Sequence, residues 1–390
     1  MAQKLKVLHV VPYFPPDRIG GVGEVAAHLH RSLLAEGHES NVMTCGHSHD
    51  DPRVHRIART PTGFILACAL NSDLLSDCDV VHCHHGEALA LLIMNKLRRT
   101  SIPVLTTFHC SCSGIGRSHR PYQIKGQWFG RDARARLQRF LISPTRHLMD
   151  RTVLRLSDRP NFISRNGAED ILGIDRGRHA SVVYYGLPPL EIEKHVEQST
   201  HIEPVELLFV GTASHRKRIN VLPFVLAAVR QRCPHAKLRI IGFELNEQPE
   251  LLRLCGDLGV VDAIDCSGRK LSAELGPYYA ASKILLVPSA HEGLPMVILE
   301  AQQHGLPCVA TRVSGHPEVI NDGENGFLVE LDDPAAMADK CVEIISRPSL
   351  QSRLGAAAQQ VVRDRFHIDQ QIRAYLESYE EIASGRLAAA

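Results

Sequence analysis

Ser289-Ala290-His291-Glu292-Gly293-Leu294-Pro295-Met296-Val297-Ile298-Leu299-Glu300-Ala301 is the stretch on which the reading of the whole chain turns. The run before it, Lys283-Ile284-Leu285-Leu286-Val287-Pro288, has the unbroken apolar character of a buried strand. Met296 to His304, after it, predicts a helix closed by Gly305. A strand-to-helix turn therefore carries Glu292, and the helix carries Glu300 eight residues on. Such a helix start offers unpaired N–H groups and the positive end of a dipole, which suits an anion such as a diphosphate. Gly293 has no Cβ to hold a ligand away from the backbone. Glu292 and Glu300 are placed to accept hydrogen bonds from hydroxyls, as on a sugar and a ribose. Glutamates at this spacing also occur on ordinary helix surfaces; the strand, the Gly-Leu-Pro turn and the apolar helix favour the binding reading.

Working outward, 390 residues exceed one ordinary core, so two domains are expected. With 44% apolar and 22% charged residues the composition is that of a soluble globular protein. A net charge of +1 argues against global binding of nucleic acid or another polyanion and directs attention to local patches. Leu5–Val11 has no signal-peptide layout before it, and no apolar run approaches the ~20 residues that span a bilayer. The 11 cysteines lack paired short spacings, so reduced thiols and a cytoplasmic location are expected.

Residues 1–185 alternate apolar strands with amphipathic helices, the pattern of a doubly wound α/β domain. Strands are predicted at Leu5–Val11, Val80–His82, Pro103–Phe108 and Ser181–Tyr185, and a helix at Val22–Glu36 closed by Gly37. Gly186 to Pro204 reads as a linker. A second alternating series follows, with strands at Glu206–Val210, Lys237–Ile241, Ala263–Cys266, Ile284–Val287 and Pro307–Ala310. Residues 366–384 predict a last helix that packs back on the first domain. The expected domains are 1–190, 191–365 and the terminal 366–390, two lobes facing a cleft.

Four further stretches carry chemistry. Gly20-Gly21-Val22-Gly23 opens a helix, so its amides can face a phosphate, although a plain loop fits too. Gly21, Gly23 and Ala26 also match G-x-G-x-x-A, but too far beyond the strand for a dinucleotide turn. Asp77 and Asp79 form a D-x-D before a strand ending in His82-Cys83-His84-His85; magnesium, manganese or zinc sites are conceivable there, and ordinary strand-edge residues are the preferred reading. His109 ends the strand through Phe108, at the carboxyl edge where open α/β sheets place ligands; a partly buried strand-end histidine is an equal alternative. From Arg117 to Arg159 arginines far outnumber acids, with Trp128, Phe129 and Phe140 interleaved, which suggests either a solvated face or a dock for anionic lipid headgroups or a phosphate-bearing acceptor. Arg216-Lys217-Arg218, following the strand Leu207–Val210, can meet a leaving diphosphate.

Taken together, these motifs resemble the retaining glycosyltransferases of family 4, which have the GT-B architecture of two Rossmann-like lobes. Glu292 and Glu300 match the family's E-x7-E motif, and Ser314-Gly315, Pro317-Glu318 and Asp322–Gly326 match its neighbours. The resemblance implies that Glu292 contacts the donor sugar, Glu300 the ribose and Lys217, with Arg216 in reach, the diphosphate. The backbone near Gly21, Gly23, Gly293, Leu294, Pro295 and Met296 would assist, and His109 would face the reacting centre. It implies a nucleotide-diphosphate sugar as co-substrate, no metal or other cofactor, and a hydroxyl acceptor such as a lipid-linked or envelope glycan precursor, met at the inner membrane face. Two departures stand out: Thr212 replaces the family's arginine, and Arg218 a common glycine. The first leaves a rival, a nucleotide-sugar binding protein with weakened catalysis, because a bidentate phosphate clamp is missing.

Overall fold

The computed structural model describes residues 4–15, 21–46, 51–60, 63–64, 67–68, 72–84, 88–98, 102–110, 115, 117–130, 137, 140, 143–172, 180–190 and 205–385. Its contacts separate two units. One holds 1–113, 143–186 and 368–390, the other 114–142 and 187–367.

The first unit is built on a seven-stranded parallel sheet. Its strands are β1 (Lys6–Val10), β2 (Glu39–Cys45), β3 (Val54–Ala58), β4 (Val80–His84), β5 (Val104–Phe108), β8 (Arg159–Phe162) and β9 (Ser181–Val182), in the order β3-β2-β1-β4-β5-β8-β9. Parallel pairing puts Leu8 beside Val81 and Val10 beside Cys83, and carries this apolar face on to Phe108 and Phe162. Because side chains alternate along a strand, the opposite face receives His9, His82, His84, Thr107 and Asn161. Those residues are also buried. Helix Ile368–Ala383 covers that side, with Ile372, Tyr375, Tyr379 and Ile382 buried at helical spacing. The predicted return of the terminal helix to the first domain is thus present.

The second unit repeats the plan. Strands β10 (Val205–Val210), β11 (Leu238–Ile241), β12 (Ile264–Cys266), β13 (Ser282–Val287), β14 (Cys308–Thr311) and β15 (Gly326–Val329) form a parallel sheet ordered β12-β11-β10-β13-β14-β15. Leu207, Phe209, Leu238, Ile240, Ile284, Leu286 and Val309 fill one face of it against helices Leu222–Arg230 and Pro334–Ile345.

One boundary differs from the sequence reading, which kept all of 1–190 together. The hairpin β6 (Tyr122–Ile124) and β7 (Gln127–Phe129) belongs to the second unit, because Tyr122, Ile124 and Phe129 are buried in that unit's core. Strands β2, β3, β8 and β15 also add to those predicted.

Candidate active site

In each sheet the strand order reverses beside the first strand, between β1 and β4 and between β10 and β13. Loops leaving the carboxyl ends of such a strand pair form the natural ligand site of an open α/β sheet. In the second unit these are the loop after β10, which holds Arg216 and Lys217, and the turn after β13, which holds Glu292.

The two loops are joined by charge. A short turn, His215–Lys217, is capped by the Ser214 side chain. From it Arg216 Nη1 reaches Glu292 Oε2 at 2.6 Å and Lys217 Nζ reaches Oε1 at 2.7 Å. Arg216 Nη1 also donates to the His291 carbonyl at 2.9 Å, and Ala290 N–H donates to the Arg216 carbonyl at 2.8 Å. Burial alone would raise the Glu292 pKa, but Lys217 and Arg216 outweigh it and hold the carboxyl well below the usual range. Nearby His316 is buried, which lowers its pKa to about 4 despite the pull of Glu292. Its imidazole is therefore neutral at pH 7, and the cluster of Arg216, Lys217 and Glu292 carries one excess positive charge.

The turn itself is held by backbone packing. A Cβ on Gly315 would lie 1.9 Å from the Gly293 carbonyl oxygen, so only glycine lets the segment after β14 close on the turn. His291 Nδ1 and Ser314 Oγ share a hydrogen bond of 2.7 Å across the same contact. Helix Met296–Gln303 then starts behind Pro295, which provides no side-chain cap; its carbonyl takes the Ile298 and Leu299 amides, and those of Met296 and Val297 are left to a ligand or solvent. Within that helix Glu300 accepts from Tyr279 OH at 2.7 Å and Ser272 Oγ at 3.1 Å. Ser272 and Tyr279 were not singled out from sequence, because they reach the site from the segment before β13, where no local motif marks them. Ser314 belongs to the Ser314-Gly315 motif match, and His316 lies beside it.

The structure separates Arg216 from Arg218. Arg218 has φ 52, the left-handed conformation that favours the glycine common in the resembling family. Its guanidinium is buried, stacks 3.6 Å above the Tyr122 ring, pairs with Asp332 at 3.0 Å and donates to the Ser118 carbonyl at 2.9 Å. Arg218 is thereby the anchor of the hairpin and not a second phosphate clamp. Arg216, aimed at the same carboxylate as Lys217, is the cation that can stand in for the arginine absent at the exposed Thr212.

In the first unit His109 is buried beyond β5, and its two ring nitrogens meet His84 Nδ1, at 3.0 Å, and the Tyr185 hydroxyl. His84 is the partner that sequence analysis missed. The alternation of His82-x-His84 and Thr107-x-His109 on neighbouring parallel strands was its signal. Nitrogens of His9, His82 and His84 lie within 4.8 Å of one another. Yet both His82 nitrogens are taken, by Tyr379 OH and Thr107 Oγ1, and its ring stacks on His84 at 4.2 Å. Stacked imidazoles direct their in-plane lone pairs side by side, which suits a packed polar layer better than a shared ion. His85 lies outside the described residues.

The other candidates take structural places. Asp79 Oδ2 accepts from Lys6 N–H at 2.8 Å and Asp77 pairs with Lys6 Nζ at 3.0 Å, which ties β1 to the amino end of β4, away from His109. Gly21 and Gly23 open helix Gly21–Ala35. A Cβ on Gly23 would meet the Tyr13 carbonyl at 2.7 Å, so its smallness has a packing reason; Gly20 lies outside the described residues. The basic stretch 117–159 is divided between the units, 117–130 in the second and 143–159 in the first, so it is not one surface of one body.

Comparison with known proteins agrees with this geometry. Residues 19–186 match the model described as Glycosyltransferase Family 4, and residues 204–347 match Glycosyl transferases group 1. The chain belongs to the family 4 glycosyltransferases. A D-inositol 3-phosphate glycosyltransferase of Acidothermus cellulolyticus is 37% identical over 201 residues, 48% of this chain and 44% of that protein. An N-acetyl-alpha-D-glucosaminyl L-malate synthase of Bacillus anthracis is 32% identical over 151 residues, 38% of each chain. The family 4 chain thus spans less than half the length of these relatives. Sucrose-phosphate synthase of Thermosynechococcus elongatus has TM-score 0.78 at 18% identity, covering 98% of this chain and 100% of that one. Anabaena Alr3699/HepE, solved with UDP and glucose, has TM-score 0.74 at 17% identity, covering 97% and 100%. These are GT-B proteins, and the two sheets here have that fold.

Proposed function

We propose that this protein transfers a sugar from a nucleotide-diphosphate donor to a hydroxyl acceptor, with retention of anomeric configuration and without a metal ion. The observation that carries the reading is the meeting of Arg216 and Lys217 on Glu292 beside the uncapped start of helix Met296–Gln303. Two cations and the amides of Met296 and Val297 are what a diphosphate needs, and in a buried site they stabilise a leaving group as its charge develops. A donor diphosphate would draw Arg216 and Lys217 from Glu292, which is then free to accept from sugar hydroxyls. Glu300, already oriented by Tyr279 and Ser272, takes the ribose. For His109 the proposed role is one at the reacting centre of the loaded enzyme, where the leaving phosphate takes the acceptor proton. Arg216 beside Lys217 speaks against the rival of a binding protein with weakened catalysis.

For the acceptor we favour a lipid-linked or envelope glycan precursor. Support comes from helix Ser143–Leu156, which exposes Arg146 and Leu148, a cation beside an apolar side chain. No helix among the described residues is long and apolar enough to cross a membrane, so contact would be peripheral. Co-sedimentation that shows no preference for anionic over neutral vesicles would remove this part of the proposal.

The donor site is tested by thermal shift with a panel of nucleoside diphosphates and their sugars. One sugar nucleotide should raise the melting temperature of wild type, and neither Lys217→Ala nor Glu300→Ala should respond. Glu292→Gln should respond several-fold more strongly to the bare nucleoside diphosphate, because the phosphates no longer compete with a carboxylate. A wild type that no nucleotide stabilises would refute the reading.

A further inference from the structure

We propose that His84 is a positioning residue for His109: it holds that imidazole as the tautomer protonated on Nδ1, with the Nε2 lone pair occupied. Between His84 Nδ1 and His109 Nε2, 3.0 Å apart, one proton is shared, and the tautomers of the two rings are therefore linked. His84 is 1% exposed and its other nitrogen, Nε2, has no hydrogen-bond partner among the described residues. A buried N–H without an acceptor is the rarer and costlier orphan, so the His84 proton stays on Nδ1 and is donated to His109. Neighbouring His9 must carry an N–H on one of two nitrogens that also lack partners, and it favours a lone pair, not a second N–H, on the ring beside it. His109, accepting at Nε2, then carries its own proton on Nδ1 and donates it to the Tyr185 hydroxyl. Burial raises the pKa of that phenol, which stays neutral and able to accept.

The ring of His84 is itself fixed. It stacks on His82 at 4.2 Å, and His82 is pinned by Tyr379 OH at 2.7 Å and Thr107 Oγ1 at 2.8 Å. Asn161 Nδ2 reaches both Thr107 Oγ1 and Tyr375 OH, and Asn161 Oδ1 accepts from Ser181, which sets its amide orientation. A chain of contacts thus runs from helix Ile368–Ala383 to His109. Its consequence rests on the proposed function: with its Nε2 lone pair committed, His109 does not act as the general base. Its proposed contribution is then the fixed placement of the ring, while the leaving phosphate takes the proton.

Long-range proton–nitrogen correlation spectra of histidine-labelled protein decide the tautomer, with the His109 signals assigned by their loss in His109→Gln. Wild type should show His109 protonated on Nδ1; protonation on Nε2 overturns the proposal without any variant. His84→Leu should release His109 to a mixture of tautomers and lower kcat roughly tenfold with a smaller change in KM. His84→Asn, whose amide can donate from near the Nδ1 position, should restore both. An unchanged tautomer, or an unchanged kcat, in His84→Leu refutes the positioning role. Should His109→Ala transfer sugar at the wild-type rate, the proposed role of His109 fails while the tautomer result stands.

Discussion

The two sheets share a strand order, yet they treat polarity in opposite ways. In the first unit polar side chains lie inside the strands: His9, His82, His84, Thr107 and Asn161 fill one buried face. In the second unit the central strands β10 and β13 carry Leu207-Leu208-Phe209 and Ile284-Leu285-Leu286-Val287, apolar on both faces, and the charged groups of the candidate site lie in loops at their carboxyl ends, while strand charges pair elsewhere, as Glu206 with Lys283 and Arg239 with Asp265. The difference follows from what burial costs. A neutral imidazole or hydroxyl needs only a hydrogen-bond partner, which a neighbouring strand or covering helix supplies. A carboxylate needs opposite charge, and only converging loops bring Arg216 and Lys217 to Glu292.

Acid should expose that contrast most strongly. Burial lowers the pKa of His9, His82 and His84 well below 6.5, and that of His28 to about 4, all in the first unit. Their native forms are neutral, so below 6.5 the unfolded chain binds protons that the native unit refuses. The stability they support is complete above 6.5 and falls as the pH drops toward 4. In the second unit burial lowers the His316 pKa in the same way, and Glu292 acts lower: that carboxylate stabilises above its unfolded value of 4.5, and its contribution is lost only on further acidification. At about 1.4 kcal/mol per pKa unit, the first unit should lose several kcal/mol between pH 7.5 and 5. Hydrogen exchange followed by peptide mass analysis reads each unit separately. Equal loss of protection in both would break the comparison.

Next in size are two neighbouring cations with different duties. Lys217→Ala should reduce kcat/KM by about 10²–10³-fold, the usual cost of removing a donor from a developing oxyanion. Its folding midpoint should fall less than that of Arg218→Ala, since Arg216 still pairs with Glu292. Arg218→Ala removes the partner of Asp332 and the plate over Tyr122, and should destabilise the second unit by about 3 kcal/mol. Urea unfolding beside steady-state kinetics separates them; a reversal of the two phenotypes would return Arg218 to the donor site.

What the sequence showed follows from the same physics. Strands β1, β10 and β13 are apolar runs and legible as such, and so was the helix that carries Glu300. Strand β2 begins Glu39-Ser40-Asn41, and β8 reads Arg159-Pro160-Asn161-Phe162; both look like loop until tertiary hydrogen bonds account for the polar residues. Glu292, Glu300 and Lys217 could be named because a motif fixes their spacing. Arg216 and Arg218 could not be told apart, since adjacent arginines are chemically equal and only the left-handed turn at Arg218 sends them different ways. The hairpin Tyr122–Phe129 was assigned to the wrong unit for a related reason: its partner, Arg218, lies nearly a hundred residues away.

The smallest effect concerns the two ends of one strand. Asp77 and Asp79 precede β4 while His84 ends it, and five residues of strand span roughly 16 Å. A carboxylate at the amino end is therefore badly placed to hold an ion for chemistry at the carboxyl end. Asp79 instead accepts the Lys6 N–H, and its own N–H donates to the Lys6 carbonyl at 2.9 Å, closing the start of the β1–β4 ladder. Asp79→Ala should cost about 1 kcal/mol of stability, the worth of one such bond. Asp77→Ala should leave the midpoint unchanged, because its ion pair with Lys6 is exposed. Neither should alter how transfer responds to added Mg²⁺ or Mn²⁺. If Mn²⁺ accelerated wild type and not Asp79→Ala, the D-x-D would be a metal site after all.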